Sequence, residues 1–196
     1  DAAITVALDT SGTATEGTDY TDGSGVINDI TISAGATTGT VSFTPTDDSV
    51  YEGNETATIA VSGVTGDSAT ESGTQSVSIT ITENESAPTV TLTRNTASID
   101  ENSASVITLT ATISGVTDSA VTVALTTSGT ATEDTDYGTI SDITISAGAT
   151  TGTATLDPTD DNIYEGDETA TIDISSVSGK SGVTENSTQQ VSVTIS

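Results

Sequence analysis

Residues 4–20, ITVALDTSGTATEGTDY, return as VTVALTTSGTATEDTDY at 121–137, and DITISAGATTGT at 29–40 returns unchanged at 142–153. TDDSVYEGNETATI at 46–59 comes back as TDDNIYEGDETATI at 159–172. A repeat this long, carrying several strand patterns in each copy, is a whole domain and not one rung of a solenoid. The copies differ in length between Tyr20 and Asp29, where TDGSGVIND faces the shorter GTISD, and such an insertion belongs in a turn. The repeat therefore divides the chain into two domains, residues 1–84 and 85–196, joined by the acidic connector TENESAP.

The copies are not equally complete. Residues 88–120, PTVTLTRNTASIDENSASVITLTATISGVTDSA, supply two strand patterns that precede the repeated block in the second copy only. On that template residue 1 falls about thirty residues into its domain, so the first copy lacks its first two strands while the second is nearly complete. A sandwich without two strands exposes sheet edges and half its core. Either those strands exist beyond this sequence or another chain supplies them.

Within each copy apolar and polar residues alternate: Ile4, Val6 and Leu8; Val41 and Phe43; Ala57, Ile59 and Val61; Val77, Ile79 and Ile81. Period two is the signature of strands with one buried face, and threonine suits the pleated outer face. No stretch reads as a long amphipathic helix. Short strands punctuated by Gly, Ser, Asp and Asn predict antiparallel β-sandwiches.

Charge narrows the function. Twenty-nine acidic residues face two basic ones, Arg94 and Lys180, for a formal net charge of -27. Nucleic acid and anionic membrane surfaces both demand a basic face, so they are not expected partners. Cations are. Neither cysteine nor histidine occurs, which removes disulfides, thiolate sites and imidazole chemistry and makes zinc a poor candidate. No paired carboxylates with substrate-positioning groups point to an acidic hydrolase, and the chain does not read as an enzyme. The composition suits a bacterial protein, extracellular or on the cell surface.

The repeated acidic stretch carries the chemistry. Asp47, Asp48, Glu52 and Glu55 crowd together just before a strand pattern, as do Asp160, Asp161, Glu165 and Glu168. Like charges this close are either solvated or separated by a cation, and a hard divalent ion with oxygen ligands is the natural partner. Calcium takes six to eight oxygens at about 2.3–2.6 Å, which carboxylates on adjoining loops can supply. The spacing does not fit a helical EF-hand: with Asp48 as its first position, Val50 and Ile59 fall where oxygen ligands are required. Magnesium prefers fewer carboxylates and keeps its waters. Glu16 and Glu133 in the GTATE turn, and Asp22 and Asp118, read as solvated turn residues. Four tyrosines, Tyr20, Tyr51, Tyr137 and Tyr164, occupy matched places beside the carboxylates and read as packing groups at the sandwich end.

The ordered series GTATEGTDY, TISAGATTGTVSFTPTDD, YEGNET and SVSITITENE resembles the Calx-β domain, and it occurs twice. The resemblance implies an immunoglobulin-like sandwich with Ca2+ bound at one end. Carried onto the first copy, its ligands are Asp19, Asp47, Asp48, the carbonyl of Val50, Glu52, Glu55 and the trailing Glu83 and Glu85. On the second copy they are Glu101, Asp136, Asp160, Asp161, the carbonyl of Ile163, Glu165 and Glu168. The first copy lacks the early acid and the second ends before any trailing ones. The expected function is that of calcium-stiffened extender repeats in a secreted or surface-anchored bacterial adhesin, each repeat having its chain neighbours as partners. The alternative is a regulatory calcium-sensor pair.

Overall fold

A computed structural model of the protein describes residues 2–196, and every regular element among them is a β-strand. The chain divides into two compact units, one of residues 1–48 and 53–84 and the other of residues 49–52 and 85–196.

The first unit contains β1 (Ile4–Gly12), β2 (Tyr20–Thr21), β3 (Ile30–Ile32), β4 (Thr44–Pro45), β6 (Glu55–Thr65) and β7 (Ser76–Ile81); the intervening β5 (Val50–Tyr51) belongs to the second unit. Four strands form an antiparallel sheet in the order β3-β1-β6-β7, and β2 pairs with β4 in a short separate ladder. Its buried apolar cluster consists of Ala14, Tyr20, Ile27 and Ala57, with Leu8, Val41, Phe43, Ile59 and Ile81 only partly covered around it. Tyr20 stacks on Phe43 with ring centroids 4.8 Å apart.

The second unit adds β8 (Thr89–Arg94), β9 (Ser98–Ile99), β10 (Ile107–Ile113), β11 (Val116–Thr117), β12 (Val121–Gly129), β13 (Ile143–Ile145), β14 (Thr151–Leu156), β15 (Glu168–Ser178), β16 (Thr184–Glu185) and β17 (Gln190–Ile195). One sheet runs β13-β12-β15-β17-β9 and the other β14-β10-β8-β16. Their alternating aliphatic residues meet in a single core that includes Leu109, Val123, Ile145, Leu156, Ile172 and Val193. This is the expected sandwich built from the period-two pattern, antiparallel except at two edges, where β16 pairs in parallel with β8 and β9 in parallel with β17. Strand β5 pairs in parallel with β11, and Tyr51 packs against this core.

Two repeated sequence details have structural causes. The long hairpin partners carry a bulge, between Ala7 and Leu8 in one unit and between Ala124 and Leu125 in the other. A bulge interrupts the ladder, and here the amide beside it donates to the aspartate opening DITI: Leu8 N to Asp29 Oδ1 at 3.1 Å, and Leu125 N to Asp142 Oδ1 at 3.0 Å.

The second is a hook at the end of the first long strand. Gly129 has φ +124°, and a Cβ there would lie 2.0 Å from the Thr169 carbonyl oxygen. That oxygen accepts from both Thr130 N (2.9 Å) and Ala131 N (3.1 Å), so the chain folds tightly around one acceptor. Gly12, φ +127°, does the same around Thr56 O. Only glycine tolerates both the dihedral and the approach. Gly129→Ala is expected to cost at least about 1–3 kcal/mol of second-unit stability from backbone strain alone, read as a lowered denaturant midpoint for that unit.

Candidate metal centre

The hook aims the following turn. Asp136 sits just after it, 7% exposed, with its amide donating to Thr132 O at 2.9 Å and its Oδ2 accepting from Thr132 N at 2.5 Å. Its carbonyl accepts from Thr159 N at 3.0 Å, which ties this turn to the start of the TDD segment. Asp19 repeats each feature: buried, closed onto Thr15 by both amide and carboxylate, and bonded through its carbonyl to Thr46 N at 2.9 Å. These aspartates are turn-forming and site-facing at once.

In the second unit the structure collects carboxylates at one end of the sandwich. Asp136, Glu165 and Glu168 offer oxygens that all lie within 4.8 Å of one another, and so do Glu101, Asp161 and Glu165. Glu165 is common to both groups. Glu168 opens β15 opposite Ile195, while Glu101 is anchored by its amide on Ser196 O at 2.9 Å. Asp161 N donates to Glu101 Oε1 at 3.1 Å, and Asp161 Oδ1 accepts from Ile163 N at 2.6 Å. Thus five of the seven second-copy residues are brought together. Among the described residues Asp160 enters neither group, and Ile163, 64% exposed, appears through its amide.

In the first unit Glu55 opens β6 opposite Ile81, as Glu168 opens β15. Glu83 reaches the EGNE loop, its carboxylate accepting from Gly53 N and its amide donating to Asn54 Oδ1 at 3.0 Å. Asn84 Nδ2 donates to Asp47 Oδ1 at 2.8 Å. The trailing segment and the DD segment are therefore joined by direct hydrogen bonds. Asp48 precedes the excursion of residues 49–52 into the second unit, where Val50 lies in β5 and the Glu52 carbonyl accepts from Lys180 Nζ. Glu85 also falls in the second unit.

Several turn acids and tyrosines depart from the expectation. Glu133 is not simply solvated: its Oε2 accepts from Thr127 Oγ1 at 2.7 Å, and Glu16 takes Thr10 Oγ1 at 2.8 Å together with Ile27 N. Both brace the hook. Their matched positions at six residues past a matched threonine were the available signal. Asp118 pairs with Lys180 Nζ at 2.7 Å. Asp22 is a turn residue, its carboxyl held down to about 2 by hydrogen bonds from the side chains of Ser24 and Asn28. Tyr20 and Tyr137 are buried as packing groups, but Tyr51 and Tyr164 diverge: the first packs on the second unit's core and the second is 97% exposed.

The electrostatics show what the second-unit cluster lacks. The carboxyl of Glu165 is pushed above the ordinary glutamate value by loss of solvation and then by the charges of Asp136, Asp161 and Glu101. Glu168 is raised as well, by loss of solvation, by its contact with Asp136 and by Glu165 and Glu101. A group whose folded pKa is raised holds its proton more tightly when folded, so its contribution to stability is present below the unfolded value and lost as pH rises through the folded one. In chelator, the melting temperature of the second unit is expected to fall as pH climbs from 4.5, the reference glutamate value, toward neutrality. Calcium is expected to reverse that slope, since the ion takes the place of the proton.

The side chains that make up both groups are carboxylates, and a donor set of that kind suits a hard cation and offers little to a soft one. An antiparallel sandwich with such an acidic end defines a cation-binding β-sandwich domain. The model of the Calx-beta domain matches residues 1–85 and again 83–196, and the chain belongs to that family as a tandem pair. Calx-beta domains bind Ca2+, and Ca2+ is the ion that this donor chemistry fits. No curated protein matches the chain. Among solved structures it is similar to CBD12 from CALX1.2, with 16% identity over 99% of this chain and 87% of that one and a TM-score of 0.44. The apo form of the Calx CBD1 domain matches at 20% identity over 55% of this chain and 96% of that one, TM-score 0.43. The calcium binding domain CBD12 of CALX1.1 matches at 13% identity, covering 98% and 87%, TM-score 0.42.

Proposed function

We propose that the two domains are calcium-binding structural repeats, serving as extender modules of a secreted or surface-anchored bacterial adhesin. The observation that carries the calcium assignment is the pair of carboxylate groups sharing Glu165 at one end of the second sandwich. Asp136, Glu165 and Glu168 would hold one ion and Glu101, Asp161 and Glu165 a second, with the carbonyl of Ile163 and Asp160 available from the same loop. In the first copy Asp19 and Glu55 occupy the equivalent places, and Glu83 and Asp47 are already tied to the adjoining loop.

Support for a structural role comes from the rest of the surface. A net charge of -27 with two basic residues requires counter-ions wherever the chain works, and a calcium-rich exterior supplies them. Domain repetition with polar Thr/Ser strand faces gives length. The adhesive target then lies with other parts of the protein, and the partners of these domains are neighbouring repeats of the same chain.

Small-angle scattering in calcium and in chelator tests the extender reading. Calcium is expected to narrow the distribution of particle dimensions without changing molecular mass. Superimposable profiles would defeat stiffening even if calorimetry shows that the ion binds, and would favour a sensor whose change is local.

A further inference from the structure

Each unit carries a glutamate just ahead of its DY aspartate, and in both units that glutamate reaches back to the long strand leading into the hook. Glu133 Oε2 accepts from Thr127 Oγ1 of β12 at 2.7 Å, and Glu16 Oε2 accepts from Thr10 Oγ1 of β1 at 2.8 Å. The other oxygen of Glu16 takes the Ile27 amide. Thr127 is also hydrogen-bonded to the side chain of Tyr137, which is 1% exposed and directly follows Asp136. A single threonine side chain therefore meets the turn on both sides of its aspartate. Glu133 itself belongs to neither carboxylate group among the described residues.

The turn's own hydrogen bonds fix its shape and leave its placement open. Asp136 is bonded to Thr132 through both its amide and its carboxylate, and Asp134 N donates to Tyr137 O at 2.8 Å. All three bonds lie inside residues 132–137. The shape survives a change of sequence: Asp134 holds φ +67° where the first copy has Gly17 at +85°, and Gly17 N meets Tyr20 O at 2.9 Å. Placement on the sandwich comes from contacts outside the turn. Ala131 and Tyr137 are buried, the Asp136 carbonyl accepts from Thr159 N, and the Glu133 side chain is tied to β12.

We propose that Glu133 is a positioning residue for calcium: through Thr127 it holds the turn so that the Asp136 carboxylate stands within reach of Glu165 and Glu168. It sets the affinity of that site without touching the ion. Glu16 and Thr10 serve Asp19 in the same way. The proposal rests on Asp136 as a ligand. Ligand distances in a well-formed site hold to about ±0.2 Å, so a turn that wanders by more than about 0.5 Å must be ordered again whenever an ion binds. Groups that orient a metal ligand from behind typically change affinity by about 10–100-fold when removed. Charge is not what this role requires. A glutamine at 133 still offers one oxygen as acceptor, and the Thr127 hydroxyl can turn to accept from its amide group.

Calcium titration of the whole chain against a competing chelator tests this, followed at the amides of Thr132 and Gly166 in the second unit and of Thr15 in the first. Thr127→Val keeps the shape of the residue and the charge of Glu133 but removes the hydroxyl. It and Glu133→Ala are each expected to weaken second-unit affinity at least about tenfold, while Thr15 responds as in wild type. Glu133→Gln is expected to bind nearly as wild type does. A loss in Glu133→Gln with none in Thr127→Val overturns the proposal, because Glu133 then acts through its charge. A Thr127→Val chain that melts lower in chelator yet binds calcium with wild-type affinity also overturns it, since the brace is then structural alone. Should Glu133→Ala not fold, the other two variants decide. Glu165→Gln separates the two readings: if it removes the calcium response while Thr127→Val leaves affinity intact, positioning alone fails. If it leaves the response unchanged, the ligand assignment fails and takes the proposal with it.

Discussion

Glu165→Gln is expected to abolish most of the calcium-dependent stabilisation of the second unit while raising its stability in chelator. The residue is common to both carboxylate groups, so one substitution weakens two ion sites. Ligand at a hundredfold over its dissociation constant stabilises a folded domain by ~2.7 kcal/mol per site, a large share of the 5–15 kcal/mol of about any single domain. The opposite sign in chelator follows from the raised carboxyl of Glu165, which loss of solvation and the charges of Asp136, Asp161 and Glu101 hold above its ordinary value. A neutral amide removes that repulsion. Thermal melts of the wild-type and variant chains, each in calcium and in chelator, give the four values needed. Glu71→Gln, an exposed loop acid of the first unit, serves as the control and should leave the second unit's calcium response unchanged. Equal calcium responses in wild type and E165Q would sink the assignment of these groups as the ion sites.

The second large effect separates the two units. Ile172→Ala is expected to cost about 2–5 kcal/mol, the usual range for emptying a closed aliphatic site, because Ile172 is 0% exposed between two sheets. Its repeat counterpart Ile59 lies in the same strand position but is only half covered. Ile59→Ala loses less transfer free energy and leaves no sealed cavity, so about 1 kcal/mol is expected. Differential scanning calorimetry should show this as a shift of the second unit's transition by about 4–8 °C per kcal/mol, against a small shift for the first. Comparable losses from the two substitutions would mean that the first unit's face is covered in solution.

Much of the fold was readable because its causes are local. Period-two alternation in ITVAL, TATI and SVSITI returns as β1, β6 and β7, and again as β12, β15 and β17. The resemblance to the Calx-β domain put the DY aspartates, the E-x-x-E glutamates and Glu101 in one ligand set, and in the second unit oxygens of Asp136, Glu165 and Glu168, and of Glu101, Asp161 and Glu165, lie near one another. What escaped depends on neighbours that a repeat cannot announce. Tyr51 and Tyr164 stand in identical motifs, YEG in both copies, yet one packs on a core and the other meets solvent, because residues 49–52 add a strand to β11 and their counterparts do not. Asp118 looked like a turn residue because its partner Lys180 lies 62 residues away in sequence. Glu16 and Glu133 looked solvated because a carboxylate in a Thr-rich turn carries no mark of the hydroxyl it will accept from.

The hook also determines how Asp136 can coordinate. One of its oxygens is committed to the Thr132 amide, so the carboxylate that would face an ion also holds the turn that presents it. Asp161 is in the same position, with one oxygen taken by the Ile163 amide. The glutamates of the two groups have longer side chains that would adjust around an ion, while the two aspartates would be held in place by their turns. Asp136→Glu, though it keeps the charge, would lose that fixed placement, because an added methylene cannot keep the Thr132 amide bond and the same position at the site.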